Sequence, residues 1–266
     1  SIFIHSERNR TMDFNDKYYT DPSVLHIGCE APRAYFIPYE SHNSAYKDNR
    51  AASKKFFTLC GDWNFLYYRT AKCLQDFTAE DFNIGDNKLT VPMSWQADLG
   101  KGYDTPNYTN VNYPFPVTPP FVPDDNPCGL YQRHFFVDSE MLQNEIYINF
   151  EGVDSCFYLY INNEFAAYSQ VSHMTSEIDI TRFLHVGNND IKVLVLKWCD
   201  GSYLEDQDKF RFSGIFREVY IILRDKVHIT DLYAHPRVTE DFSSGTLTVE
   251  VKTNGLLTTE YSLYSP

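Results

Sequence analysis

Four acidic side chains follow an almost continuously apolar stretch, residues 191–198, and form the densest polar cluster of the chain. They are Asp200, Glu205, Asp206 and Asp208. Carboxylates accept hydrogen bonds from hydroxyl groups and ligate hard cations. The spacing is not that of an EF-hand, and nothing in it indicates two carboxyl groups held about 5–5.5 Å apart for retaining glycoside hydrolysis. The last three acids fit a solvated loop, where they cap turns or pair with Lys209, Arg211 and Arg217.

A second cluster, residues 102–114, alternates amides, hydroxyls and aromatic rings in the run Gly-Tyr-Asp-Thr-Pro-Asn-Tyr-Thr-Asn-Val-Asn-Tyr-Pro. Amide and carboxylate groups hydrogen-bond sugar hydroxyls, and tyrosine rings stack on the apolar faces of sugars. The alternative is an ordinary turn region rich in Pro and Asn. Prolines are frequent across residues 93–127, and a loop of this length in a compact domain is usually functional.

Short strands separated by turns must position these two clusters. Alternating and apolar runs predict strands at 56–60, 63–68, 88–92, 131–137, 145–150, 155–161, 165–168, 191–198, 227–235, 247–251 and 261–264, with one or two more in 210–223. Hairpin turns are expected at Gly61-Asp62 and Asn162-Asn163, and a further turn at residues 187–190. The run 191–198 should be a central strand, and both faces of 155–161 should be covered. This pattern predicts an all-β sandwich or jelly roll.

Composition narrows the functional classes. The 266 residues carry 23 Lys and Arg against 36 Asp and Glu, a formal net charge of −13, which disfavours binding to nucleic acids or to anionic membranes. We find no apolar stretch near the roughly 20 residues of a membrane-spanning helix. The six cysteines are irregularly spaced, which disfavours zinc clusters and favours a reducing cytoplasm. Aromatic residues make up 16% of the chain and mainly indicate a β-rich core.

Several motifs occur in a fixed order along the chain. They are Trp95-Gln96, Gly102-Tyr-Asp-Thr-Pro106, Tyr108-Thr-Asn-Val-Asn-Tyr-Pro114, Pro119-Pro-Phe-Val-Pro123, Asn126-Pro-Cys-Gly129, Phe150-Glu-Gly-Val-Asp-Ser155, Tyr168-Ser-Gln170, Asp200-Gly-Ser-Tyr-Leu-Glu-Asp-Gln-Asp208 and Ser213-Gly-Ile-Phe-Arg-Glu-Val219. From about Ser23 onward, the chain resembles the N-terminal part of a glycoside hydrolase family 2 β-galactosidase of the large bacterial type. The run that begins at Asp200 carries most of this resemblance.

The resemblance implies a domain organisation. An extended N-terminal arm covers residues 1–45 and lies on the rest of the protein or on a partner subunit. A jelly-roll sugar-binding β-sandwich covers residues 46–223. Residues 224–266 are the start of an immunoglobulin-like β-sandwich, which we expect to be incomplete because such a sandwich needs about 100 residues.

The resemblance also implies a chemistry. The family hydrolyses terminal β-D-galactosides such as lactose with retention, using two glutamates, with Na⁺ and Mg²⁺ nearby. Asn110 matches a family asparagine that contacts galactose, and Asp200 matches a family aspartate that binds galactose hydroxyls and helps to ligate Na⁺. The catalytic glutamates and the remaining metal ligands are expected after Pro266, in a (β/α)₈ barrel. The chain alone should therefore be inactive, and the full-length enzyme is expected to be a homo-oligomer.

Two alternatives stay open at this point. The chain could be a stand-alone carbohydrate-binding module, which the aromatic content and the sandwich allow. It could also belong to another family 2 glycosidase, such as a β-glucuronidase, although the run that begins at Asp200 favours a β-galactosidase.

Overall fold

The structure is a computed structural model that describes residues 14, 17–47, 49–110, 112–205 and 208–263. Its strands are β1 (His26–Ile27), β2 (Phe56–Thr58), β3 (Gly61–Tyr68), β4 (Lys88–Val91), β5 (Asn107–Tyr108), β6 (Cys128–Val137), β7 (Glu145–Phe150), β8 (Val153–Asp154), β9 (Cys156–Ile161), β10 (Glu164–Gln170), β11 (Ser176–Asp179), β12 (Gly187–Leu196), β13 (Phe210–Arg211), β14 (Gly214–Ile215), β15 (Val219–Arg224), β16 (Ile229–Val238) and β17 (Gly245–Thr253). The prediction of an all-β fold is confirmed.

Helical structure in the described residues is short. One α-helix, α1, spans His42–Tyr46, and its N-terminus is capped by the Ser41 side chain. The 3₁₀ helices are Tyr18–Thr20, Arg50–Ala52, Ala71–Cys73, Trp95–Ala97, Met141–Gln143, Thr181–Phe183 and Asp200–Tyr203. Among the described residues, no helix is long and apolar enough to span a membrane.

Two antiparallel sheets face each other. The larger has the strand order β1-β10-β9-β12-β6-β3-β4, and the smaller has the order β11-β7-β15-β2. Strand β12 is in the middle of the larger sheet and pairs with β6 from Gly187↔Val137 to Leu196↔Cys128. Its central place confirms what the apolar run predicted.

Alternation of side chains along the strands builds the core. On β9, Phe157, Leu159 and Ile161 point into the space between the sheets. There they join apolar side chains of the smaller sheet, such as Ile148 and Ile221. The opposite face of β9, with residues such as Tyr158, is buried under a second apolar cluster that includes segments 18–27 and 71–84. Both faces of this strand are therefore covered, as its sequence predicts.

Four sequence-based expectations on secondary structure were wrong. Gly61-Asp62 does not close a hairpin, because β2 pairs with β15 in the smaller sheet while β3 pairs with β4 and β6 in the larger one. Gly61 has a φ of +114°, a conformation that suits a chain crossing between sheets. Residues 187–190 are already part of β12, region 210–223 contributes to three strands, and residues 261–263 form none.

The N-terminal segment contacts the two sheets and also the C-terminal hairpin, where the Ala34 N–H donates to Asp231 Oδ1 at 3.0 Å. Strand β1 is the edge strand of the larger sheet and pairs with β10. Arg33 forms a bidentate ion pair with Glu177 of β11, with N···O distances of 2.7 and 2.6 Å. Strands β16 and β17 pair only with each other, and Tyr233 on this hairpin is exposed. The domain boundaries at 45/46 and 223/224 remain predictions.

Candidate functional site

Asp200 lies where the central strand leaves the sheet. It begins the 3₁₀ helix Asp200–Tyr203, only a few residues after β12 ends, and it is 7% exposed. The Gly201 N–H donates to its Oδ1 at 2.9 Å. Burial raises the pKa of Asp200, and hydrogen bonds from Gly201 and Gln170 lower it only in part. The fold therefore holds a partly desolvated carboxylate at a fixed place.

A cavity of about 380 Å³ opens beside Asp200. Its walls are mostly apolar and come from residues Pro22, Leu25, Pro119, Pro120, Tyr203 and Leu204. Gln170 also lines the cavity, and its Nε2 is fixed by donating to the Val24 carbonyl at 2.9 Å. Asp200 is the charged residue of this lining. An apolar cavity of this size with a few fixed polar groups is typical of small-molecule sites.

Asn110 lies on an exposed loop just after β5. Its Nδ2 donates to the Tyr108 hydroxyl at 3.3 Å, and that hydroxyl donates to the carboxylate of Asp208. Tyr108 also pairs through its backbone with Phe210 of β13. The loop that carries Asn110 is therefore tied to the acidic run that begins at Asp200.

Aromatic side chains join the same two segments a second time. The Tyr113 hydroxyl donates to the Tyr203 carbonyl at 2.8 Å, and the two rings stack with centroids 5.6 Å apart. The Tyr203 hydroxyl donates to the Phe121 carbonyl at 2.6 Å. The structure thus brings the two predicted clusters together. Asn110 itself is not in the lining of the Asp200 cavity, and no direct hydrogen bond between Asn110 and Asp200 is present in the described residues.

The other acids of the run have local roles. Glu205 accepts from the backbone N–H and the hydroxyl of Ser172, at 2.9 and 2.7 Å, and Asp208 accepts from Tyr108. Within the described residues neither acid forms an ion pair with Lys209, Arg211 or Arg217, and both accept hydrogen bonds from other partners instead. Asp206 lies outside the described residues.

A buried polar network under the 102–108 loop was missed by the sequence reasoning. The Lys197 Nζ donates to Asp104 Oδ2 at 2.5 Å, and their side chains are 5% and 14% exposed. Gln96 Nε2 donates to the same carboxylate and to Ser213 Oγ, both at 3.2 Å. These groups anchor the loop to the end of β12. The residue types in this network do not predict its hydrogen bonds, because the bonded partners are far apart in the sequence.

Asp200 also suits one position of a metal site. A carboxylate oxygen is a ligand that hard cations prefer, and a neighbouring cation would offset the cost of keeping this carboxylate ionised when it is partly desolvated. Within the described residues, no three side chains of the His, Cys, Asp and Glu types are grouped so that they could hold a metal ion.

Comparison with known proteins gives the family. The sequence model described as the sugar binding domain of glycosyl hydrolases family 2 matches residues 56–225, which is more than half of the chain. The chain belongs to glycoside hydrolase family 2. The match includes Asn110 and Asp200.

Similar proteins of this family extend well beyond the chain. A β-galactosidase of Actinobacillus pleuropneumoniae is 44% identical over 234 residues, which are 88% of this chain and 22% of that protein. A β-galactosidase of Staphylococcus xylosus is 40% identical over 252 residues, 94% of this chain and 25% of that protein. The chain thus spans about a quarter of the length of these curated relatives.

Solved structures support the fold. A β-glucuronidase of an uncultured Clostridium species gives a TM-score of 0.55 at 21% identity, covering 75% of this chain and 34% of that one. A β-glucuronidase of Bacteroides uniformis gives a TM-score of 0.56 at 18% identity, covering 73% and 21%. At these identities the likeness concerns the fold of this family 2 domain.

Proposed function

We propose that this chain is the N-terminal sugar-binding region of a retaining β-galactosidase that hydrolyses terminal β-D-galactosides such as lactose. The observation that carries the proposal is the partly desolvated Asp200 carboxylate, which lies beside a cavity of about 380 Å³. The acidic run that begins at Asp200 is hydrogen-bonded to the loop that carries Asn110. Similarity to proteins named β-galactosidase, at 40–44% identity, supports the choice of substrate.

In this proposal Asp200 and Asn110 recognise galactose. An ionised carboxylate accepts hydrogen bonds from sugar hydroxyls, and such bonds are about twice as strong as those between neutral groups. The Asn110 amide both donates and accepts, so it reads a hydroxyl in either orientation. Asp200 would also hold one side of a Na⁺ ion, which supplies positive charge next to the sugar hydroxyls.

We propose that catalysis belongs to residues after Pro266, because the curated relatives are about four times as long as this chain. The two glutamates, the Mg²⁺ site and the remaining Na⁺ ligands would lie there, in a full-length protein that acts in the cytoplasm. Because these groups complete the site, the isolated chain is expected to be inactive.

The substrate class is tested on the full-length polypeptide with two chromogenic substrates that share one leaving group. Its kcat/KM for the β-galactoside should greatly exceed that for the β-glucuronide. The β-glucuronidase alternative receives only weak support, because the β-glucuronidase structures are 14–21% identical and show the fold alone. A preference for the β-glucuronide would refute the proposal.

The stand-alone module is tested on the isolated chain. Calorimetric titration with galactose should give millimolar binding or none, since half of the proposed site is absent. Micromolar binding would favour a carbohydrate-binding module, and turnover of a β-galactoside above background would refute the expected inactivity.

We also propose that residues 1–45 help to assemble a homo-oligomer. The described part of this arm contacts the body of the chain, as in the Arg33–Glu177 ion pair, and leaves Tyr35 exposed. Deletion of residues 1–45 from the full-length enzyme should lower its mass in light scattering. An unchanged mass would count against this role.

A further inference from the structure

Arg211 connects the backbone segments that carry both candidate galactose contacts. It lies on the two-residue strand β13, where its backbone pairs with Asn107 of β5. Asn107 is three residues before Asn110 in the sequence. Arg211 is 2% exposed, so its guanidinium is enclosed by the protein.

The guanidinium reaches the segment of Asp200 directly. Its Nη1 donates to the Glu205 carbonyl at 2.8 Å and lies 3.5 Å from the Ser202 carbonyl oxygen. Its central carbon is also 5.8 Å from the ring centroid of Trp198. Arg211 therefore contacts residues on both sides of Asp200.

This arrangement is costly for stability. The Nε and Nη2 atoms of Arg211 are buried and have no hydrogen-bond partner in the described part of the chain, and the same is true of Asn107 Oδ1. The charge of Arg211 lowers the pKa of the buried Asp154, although burial dominates and raises it. A buried charge with unpaired donors contributes little net stability, because desolvation opposes its attractions. The contacts of Arg211 are better explained by the positions in which they hold the two contacted segments.

We propose that Arg211 is a positioning residue that fixes the segments of Asn110 and Asp200 relative to each other. This inference rests on the proposed function, because it assumes that both residues bind galactose. Lysine cannot reproduce the role, since its ammonium group lacks the planar guanidinium that lies near the Trp198 ring while its Nη1 reaches the Glu205 carbonyl.

The test uses the full-length enzyme and the variant Arg211→Lys. The KM for a β-galactoside should rise about tenfold, the factor that corresponds to about 1.4 kcal/mol. A second variant, Arg211→Gln, buries no charge and keeps an NH2 group that can donate, so it should fold and raise KM by a similar factor. Because KM does not depend on the amount of folded enzyme, a lower yield does not obscure the result.

Arg224→Lys is the matched control. Arg224 is also 2% exposed, donates to the backbone carbonyl of Ile229, and has an unpaired Nε. It belongs to β15, and its hydrogen bonds within the described residues go to Ile229 and Glu177 rather than to either cluster. Its replacement should lower Tm and leave KM unchanged. If the Arg211 variants also lower Tm with an unchanged KM, the residue is merely structural and the proposal is overturned.

A double-mutant cycle separates positioning from an independent effect. Arg211→Lys and Asn110→Ala should change KM non-additively, because a displaced Asn110 has less binding left to lose. Additive effects would overturn the positioning role. Asp200→Asn tests the underlying function by itself. If it leaves kcat/KM unchanged, the proposed galactose site fails, whereas a large effect of Asp200→Asn with none from the Arg211 variants refutes only the role of Arg211.

Discussion

Replacing Asp200 by asparagine removes the negative charge beside the cavity and almost nothing else. The two side chains have nearly the same shape, and the Asn amide oxygen can still accept from the Gly201 N–H, which lies 2.9 Å from the native Oδ1. The cavity of about 380 Å³ should keep its walls, since they come from other residues such as Pro22 and Pro119. The variant therefore isolates the effect of charge on sugar binding.

The expected loss follows from the difference between charged and neutral hydrogen bonds. Bonds to a charged group contribute about 1.5–3 kcal/mol and neutral ones about 0.5–1.5 kcal/mol, so the exchange removes about 1–2 kcal/mol. At about 1.4 kcal/mol per factor of ten, the kcat/KM of the full-length enzyme for a β-galactoside should fall roughly 5- to 30-fold. Loss of a bound Na⁺ ion would add to this figure.

The folding stability of Asp200→Asn should not fall with its activity. Burial raises the pKa of Asp200 above its ordinary value of 3.8, so the folded chain holds this proton more tightly than the unfolded chain. Its contribution to folding stability is therefore greatest at acidic pH and is lost as pH rises from about 3.8 through the raised pKa. At neutral pH, Asn has no ionisation cost, and Asp200→Asn should leave Tm unchanged or raise it.

The assay combines steady-state kinetics, their Na⁺ dependence and thermal unfolding of the full-length enzyme. We expect lower kcat/KM and weaker Na⁺ dependence, together with an unchanged or higher Tm. Asp225→Asn, at an exposed position paired with Lys55, is a charge-matched control that should leave kcat/KM unaltered. An unchanged kcat/KM in Asp200→Asn, or a loss that merely follows a lower Tm, would refute the reasoning.

Three further predictions concern the core, a thiol and the tie between the two segments. Trp63→Ala should lower the free energy of unfolding by about 3–5 kcal/mol in urea titrations, because the ring is fully buried; a loss below 1 kcal/mol would contradict this packing. Burial raises the pKa of Cys29 to about 11, so Cys29 stays a thiol at pH 8. Iodoacetamide should therefore label the exposed Cys73 first, as measured by peptide mass spectrometry. Equal labelling of the two cysteines would argue against the burial of Cys29. Tyr108→Phe removes the hydroxyl that connects Asn110 to Asp208 by hydrogen bonds. It should weaken galactoside binding by about 0.5–1.5 kcal/mol, measured as a higher KM. An unchanged KM would show that these hydrogen bonds do not contribute to sugar binding.

Much of the fold is predictable because the alternation of apolar and polar residues along a strand indicates which side chains are buried. The apolar run of β12 predicted its central place, and the Asn162-Asn163 turn has positive φ values of 50° and 67°, which Asn tolerates. The Gly61-Asp62 hairpin failed for a physical reason. The local sequence of two short strands beside a glycine is the same whether they pair with each other or belong to two different sheets. Here β2 pairs with β15, which is distant in the sequence.

The site is predictable only in part. The position of Asp200 at a strand end follows from the apolar run before it, and its link with Asn110 came from resemblance. The Lys197–Asp104 ion pair and the Gln96–Ser213 hydrogen bonds join residues 93 and 117 positions apart. No local spacing encodes such contacts, because they exist only after the two sheets have brought the loops together.

The central claim is that Asn110 and Asp200 bind one galactose. A crystal structure of the full-length enzyme with galactose tests it most directly. We predict that Asp200 accepts hydrogen bonds from galactose hydroxyls at about 2.5–3.0 Å and that the Asn110 amide contacts the same sugar. A galactose bound in the catalytic site without contact to either residue would contradict the account.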